Sequence, residues 1–294
     1  MQRWVKTSRL DALGQVDDTI RAVEKKATTS PALELDKVTF AYDSQPVVSE
    51  LSLSIKAGSF LGLLGPNGSG KTTLIQLLCG ALRAGSGSVK VINRGISDWD
   101  RRELARLVAV VPQRFELAFP FTVEQVVLLG RLPHRGSLAL DGPDDLLAAE
   151  EAMQATGVLH LRRRRMHELS GGEFKRVVVA KALAQKPRIL LLDEPAAHLD
   201  IRHQVTLYDL IGKIRNKTGV TVVSAMHDLN LAAAYCDVIA LLKNGELLCV
   251  GGVEEVMTYR NLRDVFEIDI YVGVNELTGH RLFTPMLSGS PEEE

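Results

Sequence analysis

Residues Gly65 to Thr72 read Gly-Pro-Asn-Gly-Ser-Gly-Lys-Thr, and they stand between the short apolar run Phe60–Leu64 and a helical pattern from Thr72 to Cys79. A buried strand, a glycine-rich turn and a helix start in that order mark the octapeptide as a phosphate loop. The glycines let consecutive backbone N–H groups turn inward around a phosphate, and the helix N-terminus adds its positive end. Lys71 supplies a point charge to the β- and γ-phosphates, and the Thr72 hydroxyl is placed to ligate Mg²⁺. Pro66, Asn67, Ser69 and Thr73 complete this candidate nucleotide-binding stretch. A strand that feeds such a loop belongs inside a sheet covered on both faces, which points to an α/β fold.

The rest of the chain agrees with that class. Apolar residues at Leu33, Leu35, Val38, Phe40 and Tyr42, and at Leu51, Leu53 and Ile55, follow strand spacing. Further strands are expected at Val89–Ile92, Leu107–Val111, Ile189–Leu192, Val220–Ser224 and Val238–Leu242. Asn244-Gly245 predicts a hairpin, because both residues tolerate positive φ. Helical patterns fall at Val123–Leu129, Asp145–Thr156, Glu173–Ala184, Ile201–Arg215 and Leu229–Tyr235. Alternation of this kind predicts a mixed sheet with an antiparallel portion at the N-terminal end. A helical subdomain over about 112–168 is expected as an insertion between core strands. Residues 1–30 are expected to form an amphipathic extension and linker, with Leu10, Leu13, Val16, Ile20 and Val23 at helical spacing. The main domain spans 31–294, with a C-terminal tail from about 251.

Two further segments carry chemistry. In Ile189–Pro195, four apolar residues bury a strand and two carboxylates emerge at its C-terminal end, where open α/β sheets bind ligands. Asp193 suits Mg²⁺ coordination through water, and Glu194 suits the base that polarises an attacking water. Leu169-Ser170-Gly171-Gly172-Glu173 opens an amphipathic helix, a second anion-binding N-terminus.

In this order and company the three segments resemble the ABC ATPase family, whose signature is LSGGQ; here Glu173 takes the last place. The resemblance implies a P-loop ATPase core with an inserted helical subdomain, and ATP with Mg²⁺ as ligands. It implies that adenine stacks on Tyr42, and that Gln113 contacts Mg²⁺ and the lytic water. His227, in Ser224-Ala225-Met226-His227-Asp228, matches the switch histidine at the γ-phosphate. Asp200, in Ala197-His198-Leu199-Asp200, matches the loop that faces the opposite subunit. It further implies a site split between two copies of the chain. Tyr42 and the phosphate loop of one copy would hold ATP, while Ser170, Gly171, Gly172 and Glu173 of the other close over it.

Composition narrows the partners. A formal net charge of −1 offers no basic footprint for nucleic acid, and the run Arg162–Arg165 is expected on a solvated helix face. Cys79, Cys236 and Cys249 are far apart and are expected as buried free thiols. No stretch reaches the roughly 18 apolar residues of a membrane span, and charges occupy the place of a signal peptide's apolar run. Soluble, peripheral placement on the cytoplasmic face of the membrane is therefore expected, with polytopic permease subunits supplying the spans. Gly130-Arg131-Leu132-Pro133-His134, the segment His227–Asp237 and the tail around Asp269–Gly273 are similar to importer ATPases for iron chelates, haem and cobalamin. That subgroup works with a separate substrate-binding protein. A soluble ABC scaffold of the iron–sulfur assembly kind, or an importer ATPase for another small substrate, is the alternative. His134, His160, His167, His203 and His280 match no functional position and default to surface or satisfied side chains.

Overall fold

The computed structural model describes residues 31–136 and 141–286. The amphipathic segment expected over 1–30 lies outside the described residues. The chain begins with an antiparallel layer: β1 (Pro31–Tyr42) and β2 (Gln45–Lys56) form a long hairpin, and β4 (Ser86–Val91) and β5 (Arg94–Gly95) extend it in the order β2-β1-β4-β5. Pairs such as Phe40↔Val48 and Ala41↔Pro46 carry β2 well upstream of the expected Leu51.

The central sheet holds β3 (Phe60–Leu64), β6 (Val108–Val111), β7 (Ile189–Asp193), β8 (Thr221–Ala225), β9 (Val238–Lys243) and β10 (Glu246–Gly251), in the order β10-β9-β3-β8-β7-β6. All its neighbours are parallel except β9 and β10, which form the Asn244-Gly245 hairpin. Both turn residues have positive φ, 50° and 81°, as that turn requires.

Strands β3, β7 and β8 are buried along their whole length, and alternate residues feed opposite cores. Phe60, Leu64, Leu190 and Leu192 pack with α5 (Gly171–Ala184), α6 (Ile201–Thr218) and α7 (Leu229–Tyr235). Leu61, Leu63, Ile189 and Leu191 pack with α1 (Lys71–Leu78) and the antiparallel layer. A third core joins α3 (Val123–Leu128), α4 (Pro143–Ala155) and α5 through Val126, Met153 and Val177. Phe115, Phe174 and Leu183 touch both the first and third cores.

Helix starts follow their caps, each typically worth ~1 kcal/mol. Thr122 and Gln125 form a capping box at α3, and Asp200 and Asp228 cap α6 and α7.

Several expectations are corrected. Leu107 ends α2 (Arg101–Leu107), a helix capped by Asp100, rather than opening β6. The tail forms α8 (Val253–Val256), α9 (Tyr259–Phe266) and a hairpin of β11 (Ile270–Val274) with β12 (Arg281–Pro285). Cys236 is buried, but Cys79 and Cys249 are only half-buried. Arg162–Arg165 lie in an irregular turn rather than on a helix face. Arg162 pairs with Glu124 at 2.6 Å, and the carbonyls of Arg162 and Arg164 receive the Glu124 and Val123 N–H groups.

Candidate nucleotide site

The C-terminal ends of β3, β6, β7 and β8 lie side by side, and each delivers one part of the site. After β3 the chain turns at Gly65, where a Cβ would sit 2.2 Å from the Leu242 carbonyl and 2.7 Å from Ser69 Oγ. Only glycine fits there. Ser69 Oγ is buried with no hydrogen-bond partner among the described residues, a polar group turned into the loop. Lys71 Nζ donates to the carbonyls of Gly65 and Pro66 at 2.8 and 2.9 Å. Burial pushes the Lys71 pKa down, while Glu194 and Asp193 pull it up. A cavity of about 220 Å³ is lined by Val47, Asn67, Gly68, Gly70, Lys71, Thr72, Thr73 and Glu194.

Thr72 Oγ1 donates to Asp193 Oδ1 at 3.0 Å, so the hydroxyl and carboxylate expected at Mg²⁺ are already neighbours. Burial raises the Asp193 pKa, opposed by that hydrogen bond and by Lys71. Among the described residues no group of three or more His, Cys, Asp or Glu could hold a metal alone. One carboxylate and one hydroxyl fit Mg²⁺, which is commonly held by one or two carboxylates plus substrate phosphates.

Glu194 follows Asp193 with φ at 46°, left-handed backbone that a non-glycine residue keeps only when its surroundings demand it. Gln113 Nε2 donates to its Oε2 at 2.6 Å, and His227 Nε2 meets its Oε1. The structure thus brings Gln113, Glu194 and His227 together from β6, β7 and β8.

Tyr42 stands exposed at the end of β1, its hydroxyl donating to Gln76 of α1 at 3.1 Å. Ser170 caps α5, and Glu173 returns to it, accepting from the Ser170 N–H at 2.9 Å and the Ser170 hydroxyl at 2.8 Å. Those bonds hold the Glu173 carboxyl below its usual value, the backbone bond first. Asp200 accepts from the His203 N–H and from Nδ1, both at 2.8 Å. The His203 ring lies against Gly172, where a Cβ would come within 2.3 Å of Cδ2. Among the described residues no hydrogen bond joins 170–173 or Asp200 to the phosphate loop. Ser170, Gly171 and Asp200 form a second, exposed surface, with Gly172 buried beneath the His203 ring.

Sequence reasoning missed two side chains. His203 ties the Asp200 turn to Gly172, and a helix-phase count from the Asp200 cap would have placed it there. Lys175 Nζ donates to the Gln113 carbonyl at 2.9 Å, with no sequence signal to announce it. Arg131 and His134, read as subgroup markers, serve the fold. Arg131 bonds Asp145 Oδ1 at 2.9 Å and the Ala184 carbonyl at 2.7 Å, and His134 donates to the Gln185 carbonyl at 2.8 Å.

A phosphate loop, a paired hydroxyl and carboxylate, and a hydrogen-bonded Gln–Glu–His cluster at the ends of parallel strands define a P-loop nucleoside-triphosphatase. Residues 48–197 match the family model described as ABC transporter. The hemin import ATP-binding protein HmuV of Gloeobacter violaceus is 42% identical over 83% of this chain and 90% of its own length. The cobalamin import ATP-binding protein BtuD of Halobacterium salinarum is 36% identical over 82% of this chain; the chain spans 60% of that relative's length. An inward-facing metal-chelate type ABC transporter superimposes with a TM-score of 0.79 at 27% identity, covering 88% of this chain and 98% of that one. The chain belongs to the ABC transporter family and is one of its ATPase subunits. Among the described residues no helix is long and apolar enough to cross a membrane.

Proposed function

We propose that the chain is the ATP-hydrolysing subunit of an importer, working as a pair of copies beneath a separate permease. The observation that carries this reading is the Gln113–Glu194–His227 cluster beside Thr72, Asp193 and the phosphate loop. ATP enters with adenine against Tyr42 and its phosphates over residues 65–73. Lys71 exchanges its loop carbonyls for phosphate oxygens. Thr72, Asp193 and Gln113 would hold Mg²⁺, which would supply positive charge to neutralise the phosphates. Glu194 accepts the proton of the attacking water, a role typically worth about 10²–10⁴-fold in rate. Gln113 orients the water, and His227 steadies Glu194 and donates toward the γ-phosphate.

The phosphate loop covers only one side of the γ-phosphate, so charge on the other side needs further donors. The N–H groups at the start of α5 suit that role, and the Ser170–Gly171 turn that carries them is exposed. A second copy therefore completes the site, with Ser170 to Glu173 and Asp200 crossing over. ATP holds the pair together and hydrolysis releases it. The permease, a substrate-binding protein and peripheral placement at the inner membrane follow from this reading. HmuV and BtuD, together with the metal-chelate transporter, favour an iron chelate, haem or cobalamin as cargo.

The central test is Glu194→Gln. ATP should trap it as a dimer by light scattering while phosphate release nearly stops; hydrolysis at the parent rate would remove Glu194 as the base. Co-purification with a polytopic membrane protein, and ATPase stimulation by haem, ferric chelates or cobalamin, test the transport and cargo readings separately.

A further inference from the structure

Between β6 and α3 the chain crosses from the core to the helical region, and Gln113 lies at the start of that passage. Its side-chain amide donates to Glu194, while its backbone is held from a different element. Lys175 Nζ donates to the Gln113 carbonyl at 2.9 Å. This lysine is half-buried on α5, five residues beyond Ser170. Burial lowers its pKa, and Asp193 and Glu194 oppose that shift only in part, which places the ammonium within reach of both carboxylates. Its neighbour Phe174 packs on Phe115, two residues past Gln113, with ring centroids 6.3 Å apart.

We propose that Lys175 is a positioning residue for hydrolysis: it holds Gln113 in line with Glu194 and makes that alignment depend on where α5 stands. The inference rests on the roles given above to Gln113 and Glu194. Helix α5 begins at Ser170, so one rigid element carries both the turn offered to a second copy's nucleotide and the tie on this copy's own glutamine. Five residues of helix separate them, roughly 7.5 Å along the axis. Movement of the Ser170 turn onto a partner nucleotide must therefore move the Lys175 ammonium, and with it the Gln113 backbone. Lysine suits the task, since its long stem spans the gap and its charge is balanced by the two carboxylates. Misplacement of a catalytic group by about 1 Å can cost about 10²-fold, so this tie has rate to govern.

The test uses the full chain and compares the parent with Lys175→Met, Lys175→Arg, Gln113→Ala and the Lys175→Met/Gln113→Ala pair, with Glu194→Gln as reference. Lys175→Met should lower kcat by about tenfold or more, with KM for ATP within about twofold. It should also raise the Mg²⁺ concentration for half-maximal rate, and Lys175→Arg should recover most of the loss. The double variant should be no slower than Gln113→Ala alone, because Lys175 acts only through Gln113. If Lys175→Met melts early, Lys175→Gln, whose shorter donor cannot span the gap, takes its place in the same cycle. A parent-like kcat, a change confined to KM, or losses that multiply in the double variant would overturn the proposal. Parent-rate hydrolysis by Glu194→Gln would instead overturn the reading of the base, whatever the Lys175 variants do.

Discussion

Gly172 shows how a single hydrogen can be the only side chain a position accepts. Its backbone is ordinary helix; what excludes a methyl group is the His203 ring, held by Asp200 and lying where the Cβ would go. Gly172→Ala should therefore destabilise by about 1–3 kcal/mol, the usual range for overpacking. His203→Ala in the same chain should recover most of that loss, since the obstacle is then gone. Thermal melts of the two single variants and the pair measure the coupling. The cysteines give a second residue-scale outcome. Burial pushes the Cys236 thiol far above its usual pKa and raises Cys79 and Cys249 less. A raised pKa means less thiolate at any given pH, and the thiolate is the reactive form. Near pH 8, a thiol reagent should label Cys79 and Cys249 slowly and spare Cys236 until the chain unfolds.

At the scale of elements, α4 and α5 are fastened by one guanidinium. Arg131 is buried and joins Asp145 near the start of α4 to the last turn of α5 at Ala184. Stranding one partner of a buried pair typically costs about 3–5 kcal/mol. Asp145 would keep Arg135 at 3.6 Å and the Gly142 N–H at 3.2 Å, which puts this loss at the low end. Arg131→Met is expected to cost on the order of 3 kcal/mol. Its hydrogen-exchange protection should fall across 143–155 while β3 and β8 stay protected. What the sequence disclosed at this scale follows from how local each signal is. Phe60–Leu64, Ile189–Asp193 and Asn244-Gly245 declared themselves because burial on two faces and positive φ leave few residue choices. Asp100 and Thr258 begin helices of seven and eight residues, only about two turns, too short for a period to repeat, so α2 and α9 were not foreseen. The same contrast governs the site. Gly65, Lys71, Asp193 and Glu194 sit in motifs fixed by chemistry at a phosphate. The tie from Lys175 to Gln113 joins residues 62 apart, and only the fold could show it.

For the whole molecule, the core and the helical region meet along α5, which gives Val178, Val179 and Ala182 to the first core and Val177, Ala180 and Ala184 to the third. Phe115, Phe174 and Leu183 belong to both packing clusters, which makes this seam the place where one body can shift against the other. Phe174→Ala should remove about 2–4 kcal/mol of packing, allowing for its partial exposure. More tellingly, unfolding followed by hydrogen exchange in α4 should then precede unfolding of the central sheet by a wider margin than in the parent.

The strand order carries a consequence for how this chain is made. Strand β3 pairs with β8 and β9 and with no strand near it in sequence. Its partners leave the ribosome about 160 residues later; at about 5–20 residues per second, that is a wait of roughly 10–30 s. Throughout that interval β3 can pack one face on α1 and the antiparallel layer, but its strand edges and the face carrying Phe60 and Leu64 lack their partners, and the phosphate loop has no wall at Leu242. The nascent chain is thus most exposed to aggregation between the synthesis of β3 and that of β8, and nucleotide uptake waits for β8 and β9.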